Sequence, residues 1–162
     1  MVGTSKTKRV LNIFHLLRYS DEVSFKYVIQ SGYVDVSKKT VYRDIHLLRQ
    51  LGFQIEFKKK LKAFVMPSEK PKEPPRFPEN KTQRLYLQKI LRLIRMMCEM
   101  DAAADPAFWY RENYPDLSVR TMQRDFKVLN SIGYVVEYMR GADEREEYQP
   151  NKYYCDYPYG VY

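Results

Sequence analysis

Read at helical spacing, residues 6–19 place Val10, Ile13, Phe14, Leu16 and Leu17 on one side, which predicts an amphipathic helix. Asp21 and Glu22 precede a shorter helical pattern near 24–31, with Phe25, Val28 and Ile29 on its inner side. Gly32 and Tyr33 then make a turn into a third helix. There Val41, Ile45 and Leu48 recur at i, i+4 and i+7, and Leu47 and Leu51 widen the stripe. Ser37 stands where a hydroxyl can accept from a free amide of the first turn. Gly52 stands where a helix ends in a left-handed residue. Phe53, Ile55 and Phe57 alternate with Gln54 and Glu56, the period of a strand. Lys58, Lys59 and Lys60 turn the chain, and Leu61 to Met66 return as a second strand. The predicted order is three helices and a β-hairpin.

The same pattern recurs 81 residues later without a gap. YVDVSKKTVYRDIHLLRQLGFQIEF, residues 33–57, aligns with YPDLSVRTMQRDFKVLNSIGYVVEY, residues 114–138. Identities fall at Tyr33/Tyr114, Asp35/Asp116, Ser37/Ser118, Thr40/Thr121, Arg43/Arg124, Asp44/Asp125, Leu48/Leu129, Gly52/Gly133 and Glu56/Glu137. Other inner positions exchange apolar for apolar, as in Val41/Met122, Ile45/Phe126 and Ile55/Val136. The register holds upstream at Val10/Leu91, Ile13/Ile94, Leu16/Met97 and Tyr27/Phe108. The chain therefore reads as two copies of one module, and a repeat constrains architecture before anything else.

The runs S-K-K-T-V-Y-R-D-I-H-L-L-R-Q-L-G and S-V-R-T-M-Q-R-D-F-K-V-L-N-S-I-G resemble the third helix of winged helix-turn-helix domains. The resemblance is closest to DeoR-type repressors and to the N-terminal DNA-binding domains of WYL-domain regulators. It centres on Ser-x-x-Thr-x-x-Arg-Asp and covers residues 6–66 and 85–160. It implies an α+β fold, mainly α, of two tandem winged helix-turn-helix domains, residues 1–66 and 82–162, joined by a proline-rich linker at 67–81. It also implies a third helix in the major groove and a hairpin wing on the adjacent backbone or minor groove. A sensor or effector domain like those regulators carry has no counterpart in these 162 residues.

Charge sharpens the reading of the first copy. The opening turn of a helix carries partial positive charge and favours Asp or Glu. Here it carries Lys38 and Lys39, which local stability does not explain and an arriving anion would. The plainer reading is a solvated basic face. Residues 1–81 hold 17 Lys and Arg against 8 Asp and Glu, a net +9, whereas residues 82–162 hold 11 against 12, a net −1. The second hairpin, Arg140 to Glu147, carries Asp143, Glu144, Glu146 and Glu147, and phosphate would repel it. A tail with Tyr148, Tyr153, Tyr154, Tyr157, Tyr159 and Tyr162 follows, which reads as packed strand tyrosines or as a dimer contact.

Lys38, Lys39, Tyr42, Arg43 and His46 share the face opposite the apolar stripe and would meet the major groove. Arg43 and Lys39 are the best placed to read guanine edges; the other reading of Arg43 is a pair with the neighbouring helix. Asp44 and Asp125 would orient an arginine or cap a helix. Lys58, Lys59, Lys60 and Lys62 would bind phosphates, positioning without specifying. Arg120, Gln123, Arg124 and Lys127 form the corresponding face of the second copy. Extended at roughly 3.1 Å per residue, the linker reaches about 45 Å, beyond the 34–36 Å or so of one DNA turn. Trp109 reads as core, as does Cys98.

Other chemistry finds little support. No Gly-rich loop with Lys-Ser or Lys-Thr is present. His15, His46, Cys98 and Cys155 have no zinc spacing. The acids at 143–147 lack flanking partners for a magnesium nuclease. Two cysteines make no disulfide framework, and no signal peptide or membrane span is seen. The expectation is a non-enzymatic DNA-binding regulator, a repressor by resemblance, without cofactor, cytoplasmic and nucleoid-associated. Its partners would be double-stranded DNA and, through the C-terminal module, a second copy or another protein. The rival expectation is a docking or assembly factor, a role tandem winged helices also play in condensin accessory subunits.

Overall fold

A computed structural model of the chain describes residues 2–31, 36–100, 105–139 and 152–156. Helix α1 (Val2–Tyr19) buries Val10, Leu11, Ile13, Phe14, Leu16 and Leu17, an arc wider than a single stripe. Strand β1 (Val23–Ser24) leads into α2 (Phe25–Gln30), where the Ser24 hydroxyl accepts from the Tyr27 amide at 3.1 Å. Val28 is buried, while Phe25 and Ile29 are half-buried. The turn at Gly32 and Tyr33 lies outside the described residues. Helix α3 (Lys38–Gln50) starts at Ser37, which accepts from the Thr40 amide at 3.2 Å, and buries Val41, Asp44, Ile45 and Leu48.

Gly52 ends α3 with φ 102°. Its amide donates to the Arg49 carbonyl at 2.9 Å, and the Phe53 amide donates to the Leu48 carbonyl at 3.3 Å. This crossed pair of bonds satisfies carbonyls the helix would otherwise leave open. Because Phe53 serves the cap, the strand starts later than the alternation suggests: β2 is Glu56–Lys58 and β3 is Ala63–Val65. Phe53 and Ile55 are buried, while Phe57, third in the alternation, is exposed on the edge strand. The antiparallel sheet has the order β1-β3-β2, with Phe64 paired to both Val23 and Phe57.

The proline-rich stretch is docked rather than free. The Lys72 and Glu73 amides donate to the Gly52 carbonyl at 2.9 and 3.2 Å, and the Arg76 amide donates to the Gln50 carbonyl at 2.9 Å. Gln50 returns a side-chain bond to the Arg76 carbonyl at 3.1 Å, and Arg18 pairs with Glu69. The end of α3 thus finds its missing donors in residues that composition alone marks as a spacer.

The chain divides into two compact units, one running to Ile94 and the other starting at Arg95. The division falls within α4 (Lys81–Glu99), not in the proline-rich stretch. Early in α4, Tyr86 lies against α1, with the Thr7 hydroxyl at 3.5 Å and Lys6 5.1 Å from its ring. Along α4, Leu87, Ile90, Leu93, Ile94, Met96 and Met97 are buried, Leu91 and Cys98 are half-buried, and Leu85 is exposed.

In the second unit Asp105 caps α5 (Pro106–Asn113), accepting from the Ala107 amide at 3.0 Å. Tyr110, rather than Trp109, takes the interior place, its hydroxyl donating to Asp125 at 2.7 Å. Trp109 is only half-buried, with the Arg95 guanidinium 5.6 Å from its ring. Arg95 also donates to Glu99, Asn113 and Tyr114, so a cation, not the core, holds this edge of α5. Helix α6 (Val119–Ser131) is capped by Ser118 and buries Met122, Asp125, Phe126 and Leu129. Gly133 ends it with φ 97°, and the Tyr134 amide donates to the Leu129 carbonyl at 3.1 Å. Strands β4 (Val135–Met139) and β5 (Lys152–Asp156) then pair antiparallel. The fold is α+β and mainly helical.

Candidate nucleic-acid interface

Helix periodicity decides which side chains of α3 meet solvent. With Val41, Ile45 and Leu48 inward, Lys38, Lys39, Tyr42, Arg43 and His46 are all exposed. Asp44 is the single acid of the helix, and it faces inward, 1% exposed. Arg9 of α1 donates to both of its oxygens, Nε to Oδ2 at 2.5 Å and Nη2 to Oδ1 at 3.2 Å. The outer face is left without a negative charge. Arg43 has no ion-pair partner among the described residues, so the inter-helix arginine that Asp44 orients is Arg9. Lys38 leans toward α2, its Nζ 5.6 Å from the Phe25 ring.

The hairpin adds a second cationic element. Its tip is closed by the Leu61 amide on the Lys58 carbonyl at 3.1 Å and the Lys62 amide on the Lys59 carbonyl at 3.3 Å. Lys62 is held at φ 50°, a conformation that favours glycine or asparagine. Lys58, Lys59, Lys60 and Lys62 are all exposed. Lys58 shares its charge with Glu56 at 2.8 Å. Hydrogen bonds from Lys58 and Gln54 hold the Glu56 carboxyl below the usual carboxylate range.

Aromatic side chains join the two elements. Buried Phe64 of β3 makes edge contacts with Tyr42 of α3, centroids 5.6 Å apart, and with Phe57 of β2 at 5.1 Å. Arg49 stands 5.9 Å from the same ring and donates to the Ile55 carbonyl at 2.8 Å, tying α3 to the start of the hairpin. Alternation with Glu56 places Phe57 on a strand, and its exposure comes from the structure.

No model of a known family, no curated protein and no solved structure matches the chain. What the interface can do rests on its own chemistry. Among the described residues no group of three or more His, Cys, Asp or Glu is placed to hold a metal ion. No described helix is long and apolar enough to cross a membrane.

On the second unit Arg120, Gln123, Arg124 and Lys127 are likewise exposed along α6, and Asp125 faces inward. Asn130 replaces Arg49 at the brace to the hairpin: its side chain bonds the Val136 carbonyl at 3.0 Å and the Val136 amide at 2.6 Å. Tyr153 packs against Phe126 and Tyr138, with centroids 5.0 and 5.1 Å away. A cavity of about 450 Å³ among the described residues is lined by Arg111, Val119, Met122, Gln123, Tyr138 and Tyr153, with Asp105 and Ala107. The acidic segment with Asp143, Glu144, Glu146 and Glu147, and Tyr148, Tyr157, Tyr159 and Tyr162, lie outside the described residues.

Proposed function

We propose that this chain is a tandem winged-helix protein that binds double-stranded DNA in a sequence-specific way and regulates transcription. The observation that carries the reading is the outer face of α3, where five cationic or hydrogen-bonding side chains are exposed and the only acid is turned inward onto Arg9. The order helix, strand, two helices and hairpin, with β1 paired to β3, supports the winged-helix reading of the first unit. Caps at Ser37 and Ser118 and helix ends at Gly52 and Gly133 support a second copy. Arg43 and Lys39 would read base edges, and Lys59, Lys60 and Lys62 would neutralise phosphates.

The test is a salt titration of duplex binding by fluorescence anisotropy, after selection of a preferred site from a random pool. With about five phosphates neutralised, log K falls against log salt with a slope near −4.5. Replacing Lys59, Lys60 and Lys62 by Ala removes roughly 2.7 from that slope and weakens all sequences alike. Arg43→Ala costs about 1–3 kcal/mol on the preferred site only. A slope untouched by the lysine variant would take the hairpin out of the interface.

A second reading concerns the second unit, where Phe108, Val119 and Tyr138 are 57, 57 and 46% exposed. Val119 and Tyr138 line one cavity, which suits a protein contact, either a second copy or an assembly partner. Light scattering on the full chain across a concentration series should give a dimer that Val119→Glu dissociates; a monomer throughout removes the self-association form of this reading.

A further inference from the structure

Two aromatic rings at the junction of α3 and the hairpin are only half covered by the core they rest on. Tyr42 is 50% exposed and Phe57 44%, yet both rest on the same buried ring, Phe64, at 5.6 and 5.1 Å. A single exposed apolar side chain is ordinary. Two rings on one buried support, with exposed Lys39 and Arg43 on the helix of one and Lys58, Lys59 and Lys60 on the hairpin of the other, form an arrangement with a specific chemical complement. Positive charge tracks a phosphate backbone, and exposed rings stack on bases. A paired base has its faces covered by its neighbours, so rings beside intact duplex reach only edges and sugars. Unpaired nucleotides offer both groups at once.

We propose that the α3–hairpin junction is a stacking platform for single-stranded nucleic acid, with Tyr42 and Phe57 taking bases and Lys39, Lys59 and Lys60 taking the backbone. The platform shares its basic surface with the duplex reading and adds a ligand to it. Stretches of unpaired strand beside a bound duplex would then be held by the same unit.

The test is anisotropy of the full chain with a labelled oligothymidylate and, separately, a labelled duplex at the same salt. Phe57→Leu, which leaves the groove face of α3 intact, should weaken strand binding at least about fivefold and change duplex binding by less than about threefold; adding Tyr42→Leu should weaken strand binding further. Irradiating an oligonucleotide carrying 5-iodouracil on the wild-type protein should crosslink it to Tyr42 or Phe57, which needs no variant to fold. Strand affinity unchanged in a variant that melts like the wild type, or crosslinks only elsewhere, overturns the platform. Polyglutamate bound by the wild type as tightly as the strand, with both affinities untouched in the variant, points instead to an acidic protein partner and also overturns it. Duplex binding without strand binding sinks the platform alone; strand binding without duplex binding sinks the groove reading alone.

Discussion

Gly52 and Gly133 are the same letter at the same place in two similar runs, and both have left-handed backbone, φ 102° and 97°. Their surroundings separate them. A Cβ on Gly133 would meet nothing within 4 Å, whereas one on Gly52 would stand 2.0 Å from the Glu73 carbonyl oxygen. Gly133→Ala should therefore cost the left-handed strain alone, about 1–2 kcal/mol. Gly52→Ala should cost about 1–3 kcal/mol more, because backbone must move to admit the methyl. Denaturant melts of both variants check this, and equal losses would mean that the proline-rich stretch does not sit on Gly52. Asp44 and Asp125 teach a related lesson. Both are 1% exposed, but Arg9 of the first helix satisfies one and the Tyr110 hydroxyl satisfies the other. Burial of each acid follows from its place between apolar positions; its partner depends on which neighbouring helix can reach it.

At the scale of elements, α3 was almost fully legible. Its cap, its buried stripe, its exposed cationic face and its glycine stop all follow from period 3.6 and end chemistry. The hairpin was legible as an element but not in extent, because the helix cap occupies Phe53 and leaves three residues per strand. Lys62 shows what such a tip demands. A lysine at φ 50° carries strain that glycine would relieve, so Lys62→Gly should raise the melting free energy by about 1 kcal/mol. If Lys62 also binds phosphate, the same change lowers the salt slope by about 0.9. Stability rising while duplex affinity falls is the expected pair of results; a gain in both would remove Lys62 from the interface. In α5 Trp109 reads as core from the sequence, and the structure puts Tyr110 there instead, with its hydroxyl donating to buried Asp125.

At the scale of the whole chain, the largest departure is the proline-rich stretch. Hydrogen exchange checks its docking: the Lys72 and Arg76 amides, bonded to the Gly52 and Gln50 carbonyls, should exchange about tenfold or more slowly than those of an unstructured chain. Exchange at the free-chain rate would restore an undocked spacer. The sequence by itself determined the helices, their caps and stops, the sign and placement of charge on α3, and the 81-residue recurrence, because these depend on period, end chemistry and local side-chain type. Only the tertiary structure decided that Arg9 neutralises Asp44, that residues 67–80 cover the end of α3, and that Tyr42 and Phe57 meet on Phe64. Each of those joins groups distant along the chain, and the bond that forms depends on which donor or ring the packing brings within a few ångströms.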